Sequence, residues 1–449
     1  DCTTSSSSSL HSSSLRRRIL RRLFRKRDEE PTTSRRYRFK YDYDEMIIGN
    51  PASSAETSLS GGTSSSTTTT AVMLIHPIGV GIGKWYYHRL LRALHRRYFD
   101  VGHRLVFLSP DLLGSATASG PTTTTAITTT AAVDDNAKRN NSVDTKLPLP
   151  LLNITDWTEQ LAYLMGEYET RSERNGHVID RWAVVANGGC SPIALQLASL
   201  PLSYQKQKEA ASSSSFSPSM MFQAALTNVI ISSPPRLPFF LESTDPVKVR
   251  KSYRTLSGLP GKLFWWYALR NDGKFVQTFS EKNLVGDPAN LGEEWTPNCL
   301  EAARLHGGKS RYSTFAFLAG TLQDGCRESL DVLAGSDVTI DFIRGMDKRR
   351  NRARSWFWTR RRRSNDTEKE AANNNRVSSE SEEQATATGT TTNANDDAET
   401  TTIDEEETIQ QYVCDNGNRG KELFVGGRIS LAWEDSDGYA KSLMKLLCE

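Results

Sequence analysis

Histidine is scarce in this 449-residue chain and stops altogether at His306, so whatever the last third folds into has no imidazole to serve as base or ligand. Cysteine is sparse too. Cys2, Cys190, Cys299, Cys326, Cys414 and Cys448 show no CxxC or CxxH spacing, which argues against a zinc site and a disulfide framework and leaves thiols of core or loop. No apolar run is long enough to span a bilayer, so no transmembrane segment and a soluble protein are expected. A large charge of one sign is also missing: 56 Lys and Arg face 53 Asp and Glu, for a net +3. The basic residues cluster in runs near residues 16–27 and 360–363 rather than over a face, so no nucleic-acid partner is implied.

What the chain has in excess is low-complexity sequence. Residues 52–70 and 115–147 are Ser/Thr/Ala tracts, residues 209–217 a serine run, and residues 364–409 polar and acidic, all reading as solvated, disordered inserts. Residues 1–34 combine a serine run with a Leu/Arg-rich stretch free of acid up to Arg27, the composition of an organelle transit peptide; a solvated basic tail is the plainer alternative. A nucleic-acid arm fits less well, because only Phe24 interleaves with the arginines before Tyr37 and Phe39. A start at Asp1 rather than Met suggests that the beginning of the chain is missing.

Between the tracts, periodicity alternates between two and 3.6 residues. Strands are expected at 37–43, 72–75, 104–108, 178–186, 226–231, 338–343 and 422–425, and helices at 85–98, 157–171, 191–200, 322–333 and 437–447. That order argues for an α/β fold with a doubly wound, mostly parallel sheet. Residues 234–320 lose the strand pattern and read as a helical insertion rich in Trp, Phe and Pro. Its aromatics either line a ligand cavity or pack the insertion onto the core, the more usual fate of such residues. Residues 355–363, SWFWTRRRR, fit a membrane-surface patch or a basic linker.

Three strand-to-turn runs carry a resemblance: AVMLIHPIGVG from Ala71, LVFLSPDLLG from Leu105 and WAVVANGGCSPIAL from Trp182. The chain resembles the α/β-hydrolase superfamily, and within it a plastid-type branch of plants and algae whose opening motif reads HPxGVG and whose triad is degenerate. The resemblance implies an α/β-hydrolase fold with core parts at 35–233 and 321–449, a helical cap at 234–320 inserted after the family's sixth strand, and a plastid location.

In that family the turn after the third strand supplies part of an oxyanion hole. Carried over, the turn is His76-Pro77-Ile78-Gly79, and Gly189 supplies the second amide. Pro77 has no N–H, whereas Gly79 and Gly81 allow close backbone approach. His76 reads either as a strand-end cap beneath the lid or as a ligand contact, and a lone histidine is more often the first. The nucleophile elbow needs small residues two before and two after the nucleophile. Counting back from Ile193-Ala194-Leu195 puts Gly188 there, between Ala186 and Cys190. Registers with Ser191 or Cys190 as nucleophile remain open but shorten the turn.

The acid falls on Asp347, which the neighbouring Lys348, Arg349 and Arg350 would equally suit as an exposed ion-paired residue. The base falls on Arg428, whose guanidinium cannot accept a proton. Losing serine or histidine from a triad costs about a millionfold in turnover. The expectation is therefore a pseudo-hydrolase with vestigial positions Gly188, Asp347 and Arg428, binding a protein partner or a small apolar ligand under the cap, without cofactor or metal. The enzymatic alternative is hydrolysis of a small apolar ester or lipid-derived substrate by Ser191 or Cys190, with His76 or His306 as base.

Overall fold

A computed structural model describes residues 42–49, 68–99, 101, 103–115, 151–210, 222–308, 310–323, 326–346, 408–418 and 420–448. Seven strands form one sheet: β1 Tyr43–Ile48, β2 Thr69–Ile75, β3 Arg104–Pro110, β4 Arg181–Asn187, β5 Ala225–Ser232, β6 Thr339–Gly345 and β7 Glu422–Val425. Their spatial order is β1-β3-β2-β4-β5-β6-β7. Only β1 runs antiparallel, from Tyr43 opposite Pro110 to Ile48 opposite Leu105, while the other pairs are parallel. The expected doubly wound, mostly parallel sheet is what the chain forms.

The central strands explain the topology. All seven residues of β2 are buried, as required of a parallel strand covered on both faces. Alternate side chains go to opposite layers: Ala71, Met73 and Ile75 enter one core, Val72 and Leu74 the other. On the first face lie α2 Ile154–Arg174, α3 Ser191–Ala210 and α10 Arg327–Leu333; on the second lie α1 His88–Tyr98 and α12 Ser436–Cys448. Helix α2 starts where it does because Asn153 and Asp156 form a capping box, the Asn153 side chain accepting from the Asp156 N–H at 3.0 Å and the Asp156 carboxylate from the Asn153 N–H at 2.8 Å.

Several boundaries differ from the sequence reading. The strand expected at 178–186 starts at Arg181, because Asp180 is spent on β2: its carboxylate accepts the Thr69 N–H at 2.6 Å and its own N–H donates to the Thr69 carbonyl. The strand expected at 37–43 is observed from Tyr43, with residues 37–41 outside the described set. The helix expected at 322–333 begins only at Arg327. A short helix, α11 Ile409–Asp415, starts on the last residue assigned to the acidic insert, held by buried Ile409 and Val413. The transit-like segment, most of the 52–70 and 115–147 tracts, and residues 355–363 lie outside the described residues.

Between β5 and β6 the chain builds α4 Leu237–Leu241, α5 Pro246–Ser257, α6 Leu259–Leu269, α7 Lys274–Asn283, α8 Trp295–Gly308 and α9 Arg311–Ala319. This insertion falls within residues 234–320, where a helical cap was expected, and follows β5, the fifth strand among the described residues. Three fully or nearly buried indoles join it to the core. Trp295 of α8 meets Trp85 at 5.2 Å and Trp433 at 5.1 Å between centroids, and Trp85 meets Trp433 at 5.2 Å, all edge to face.

Candidate functional site

The sheet order changes direction at β2. The chain passes from β2 to β3 on one side and returns to β4 on the other, so the loops leaving the carboxyl ends of β2 and β4 diverge and open a crevice, the usual ligand position in such sheets. The His76 turn and the Gly188 turn both leave from this edge.

At the end of β4, Asn187 is extended, Gly188 has φ +52° and Ser191 opens α3 in helical conformation. Only glycine adopts that left-handed geometry without cost, so the sequence places a glycine at the sharpest point of the strand-to-helix turn. A side chain built on Gly188 would meet nothing nearer than the Ser233 carbonyl at 3.9 Å. Space for a Cβ therefore exists there. The two nearby nucleophilic groups point elsewhere. Ser191 is fully buried and its hydroxyl is spent on the Gly188 carbonyl, to which it donates at 2.6 Å. Cys190 is buried with its sulfur facing the Ile78 amide; burial pushes its thiol up to about 12, which keeps it protonated and unreactive near neutrality.

The first turn is equally committed. His76 is fully buried; its Nε2 accepts the Leu112 N–H at 3.1 Å, and its Nδ1 contacts the Pro77 carbonyl at 3.0 Å. These bonds require the neutral Nδ1-H tautomer and staple the end of β2 to the turn after β3. Burial lowers the His76 pKa, opposed by nearby Asp111. Asp111 in turn accepts the Lys84 N–H at 2.8 Å, so the DLLG turn is architectural in this chain.

A histidine whose folded pKa is depressed below its ordinary value contributes stability above that value and loses it as pH falls. Resistance to urea is thus expected to decline below about pH 6.5. A urea-midpoint series against pH checks this, the slope flattening in His76→Gln, whose amide oxygen can still accept from Leu112.

The loop after β7 holds Arg428 away from proton-transfer work. Its guanidinium donates to the Lys282 carbonyl at the end of α7, and its N–H donates to the Glu434 carboxylate at 2.9 Å. The same carboxylate accepts the Gly286 N–H at 2.7 Å, so Arg428 and Glu434 clip this loop to the insertion. Asp347 lies outside the described residues, as does the side chain of His306. The structure therefore brings Gly188, Gly189, Cys190 and Ser191 together with Ile78, and joins the Arg428–Ile429 backbone to them through Ser233, whose hydroxyl donates to the Ile429 carbonyl at 3.0 Å.

Sequence reasoning missed a buried polar set beneath the turn. The Asn187 amide donates to the Tyr86 hydroxyl at 3.1 Å, the Ile429 carbonyl at 3.1 Å and the Ser232 hydroxyl at 3.4 Å. Burial raises the Tyr86 and Tyr439 phenols, so both remain neutral. Polar residues after the apolar runs, Asn187 closing β4 and Ser232 closing β5 with Ser233 beyond it, were the available signal.

Above the turn, the insertion is pressed down. A Cβ on Gly189 would lie 2.7 Å from the Phe317 ring and 3.9 Å from that of Phe239. Thr314 donates to the Gly79 carbonyl at 3.0 Å and Ser313 to that of Gly114 at 2.7 Å. Gly81, at φ +69°, touches the backbone of α8, where a Cβ would fall 1.8 Å from the Cys299 carbonyl oxygen. Two depressions, of about 970 and 820 Å³, are lined by other residues, the first within the insertion and the second along α1. Among the described residues no three His, Cys, Asp or Glu side chains converge as metal ligands would.

No known protein family matches the chain, and no curated protein does. Among solved structures, it is similar to a thermophilic esterase from Thermogutta terrifontis with malate bound, at 9% identity over 91% of this chain and 93% of that one, TM-score 0.43. It is also similar to the thioesterase domain of the curacin biosynthetic pathway, at 11% identity over 91% and 99%, TM-score 0.42. A third is an enzyme that degrades N-acyl homoserine lactones, at 9% identity over 91% and 96%, TM-score 0.41.

Proposed function

We propose that this α/β-hydrolase-like chain is a pseudo-hydrolase that has given up ester chemistry and serves as a binding scaffold. The observation that carries the reading is the left-handed Gly188 at the strand-to-helix turn, the geometry in which such a fold displays its nucleophile, here without an attacking atom. Arg428 at the base position supports it, since a guanidinium bonded to a main-chain carbonyl has no lone pair to offer. On this reading Gly188, Arg428 and Asp347 are vestiges, and Ile78 and Gly189 are former oxyanion donors. Phe317 over Gly189 favours a partner bound outside over a small apolar ligand held deep beneath the cap of residues 234–320. The composition of residues 1–34 supports delivery to a plastid.

Activity-based probes test the loss of chemistry. A fluorophosphonate is expected to leave Ser191 unlabelled, and iodoacetamide to modify Cys190 in the native protein only as pH climbs well above neutrality, with full modification in urea. Stoichiometric fluorophosphonate labelling that alanine at Ser191 abolishes, or neutral-pH labelling of Cys190 coupled to ester turnover, would overturn the proposal in favour of a working hydrolase.

A further inference from the structure

The insertion carries an exposed apolar face that the cleft does not use. Helix α6 reads LPGKLFWWYAL, and only part of it is buried: Leu259 is 69% exposed, Trp266 63%, Leu263 57% and Tyr267 44%. At spacings of four, three and one, these side chains share a face of the helix and leave Trp265 and Ala268 to the core. The face continues onto α7, where Tyr267 packs edge to face on Phe275 at 5.5 Å and Phe275 stacks on the exposed Phe279 at 6.1 Å. Large apolar side chains contiguous on a surface mark an interaction site, unlike scattered single ones.

The helices that carry this face are predominantly basic. Residues 246–282 contain eight Lys or Arg and two acidic residues, in a chain that is otherwise close to balance. Lys248, Arg250, Lys251 and Arg254 lie exposed on α5, Lys262 on α6 and Arg270 at its end, with Arg270 lying over the Trp266 and Tyr267 rings at 5.3 and 4.3 Å. Among the described residues none of the four basic side chains of α5 is in an ion pair. Leucine and tryptophan beside unpaired lysine and arginine are the composition of helices that lie in a membrane interface, the rings at headgroup level and the cations on anionic phosphates. No helix among the described residues is long and apolar enough to cross a membrane, so the contact would be peripheral.

We infer that the α5–α6–α7 face of the insertion docks on an anionic lipid surface. A protein partner would be expected to meet charges of both signs at its rim, whereas an acidic bilayer calls for an apolar centre and a cationic border. The inference stands apart from the proposed loss of hydrolysis, since none of these residues belongs to the turns around Gly188.

The experiment is co-sedimentation of the full chain with phosphatidylcholine vesicles, with and without phosphatidylglycerol. The wild type is expected to pellet with the anionic vesicles, and salt to release it. Because residues 16–27 and 360–363 are also basic, the deciding comparison is among variants. Leu263→Ser with Trp266→Ser, and separately Lys248→Glu with Lys251→Glu, alter exposed side chains that the fold does not need. Each pair is expected to weaken binding by roughly tenfold or more. Retained binding in both pairs, or no binding by the wild type, overturns the inference. Loss of a dimer in the Leu263 and Trp266 variant, seen by light scattering without vesicle binding, would instead assign the face to a second copy of the chain.

Discussion

Serine introduced at Gly188 is expected to leave ester hydrolysis at the rate of buffer. The position has room, as a Cβ there meets only the Ser233 carbonyl at 3.9 Å, and the left-handed backbone would cost the new side chain about 1–2 kcal/mol, which the surrounding core can bear. Chemistry, rather than space, is what fails. No imidazole follows His306, His76 has its acceptor nitrogen filled by the Leu112 amide, and Arg428 is bonded to the insertion. Without a base the serine forfeits about a millionfold in turnover. The thousandfold that an oxyanion hole alone can sustain is withheld too, because the Ile78 amide faces the Cys190 sulfur and Phe317 sits on Gly189. Adding Arg428→His is expected to bring the first slow fluorophosphonate labelling of the double variant. Rapid p-nitrophenyl acetate turnover by the single Gly188→Ser variant would mean that an effective base is present after all.

Alanine at Gly81 is expected to be among the most damaging small substitutions in the chain. Its methyl group would fall 1.8 Å from the Cys299 carbonyl oxygen, and φ +69° is already hostile to any side chain. Overpacking and the left-handed backbone together amount to about 3 kcal/mol. The contact lies between the turn after β2 and α8, so the damage should fall on the docking of the insertion. A lowered urea midpoint is expected together with faster iodoacetamide modification of Cys190, as Phe317 lifts from the turn beneath it. A variant with unchanged midpoint and unchanged Cys190 protection would show that the insertion does not depend on this approach.

Much of the fold was legible because its signals are local and repeated. The VMLI run reads as a strand at 72–75 and β7 stands at its expected bounds, since apolar runs bracketed by polar turns admit few other readings, whereas buried Thr69 and Thr70 belong to β2 and not to the expected 52–70 tract. Boundaries failed where a tertiary bond overrode the pattern, as when Asp180 bonded to Thr69 rather than extending β4. Helix α3 runs ten residues past its expected end, straight through Pro201, which the pattern had no means to foresee. At the site, the glycine at the turn could be found by counting from Ile193-Ala194-Leu195, because spacing along one segment survives translation into space. The Asn187–Tyr86–Ile429 cluster was missed, because its members come from three distant segments, and the polar end of β4 signals Asn187 without naming its partners.

The three indoles Trp85, Trp295 and Trp433 meet at one point although they arrive from the first crossover, the insertion and the far end of the sheet. Interlocked rings at right angles resist sliding, and parting them would expose three large side chains to water at once. At this point the insertion is a wall more than a door: swinging it outward would part Trp295 from both Trp85 and Trp433. A guest seeking the interior would have to wait for the whole assembly to breathe, whereas one that settles on the outer surface would meet a platform already rigid before it arrives.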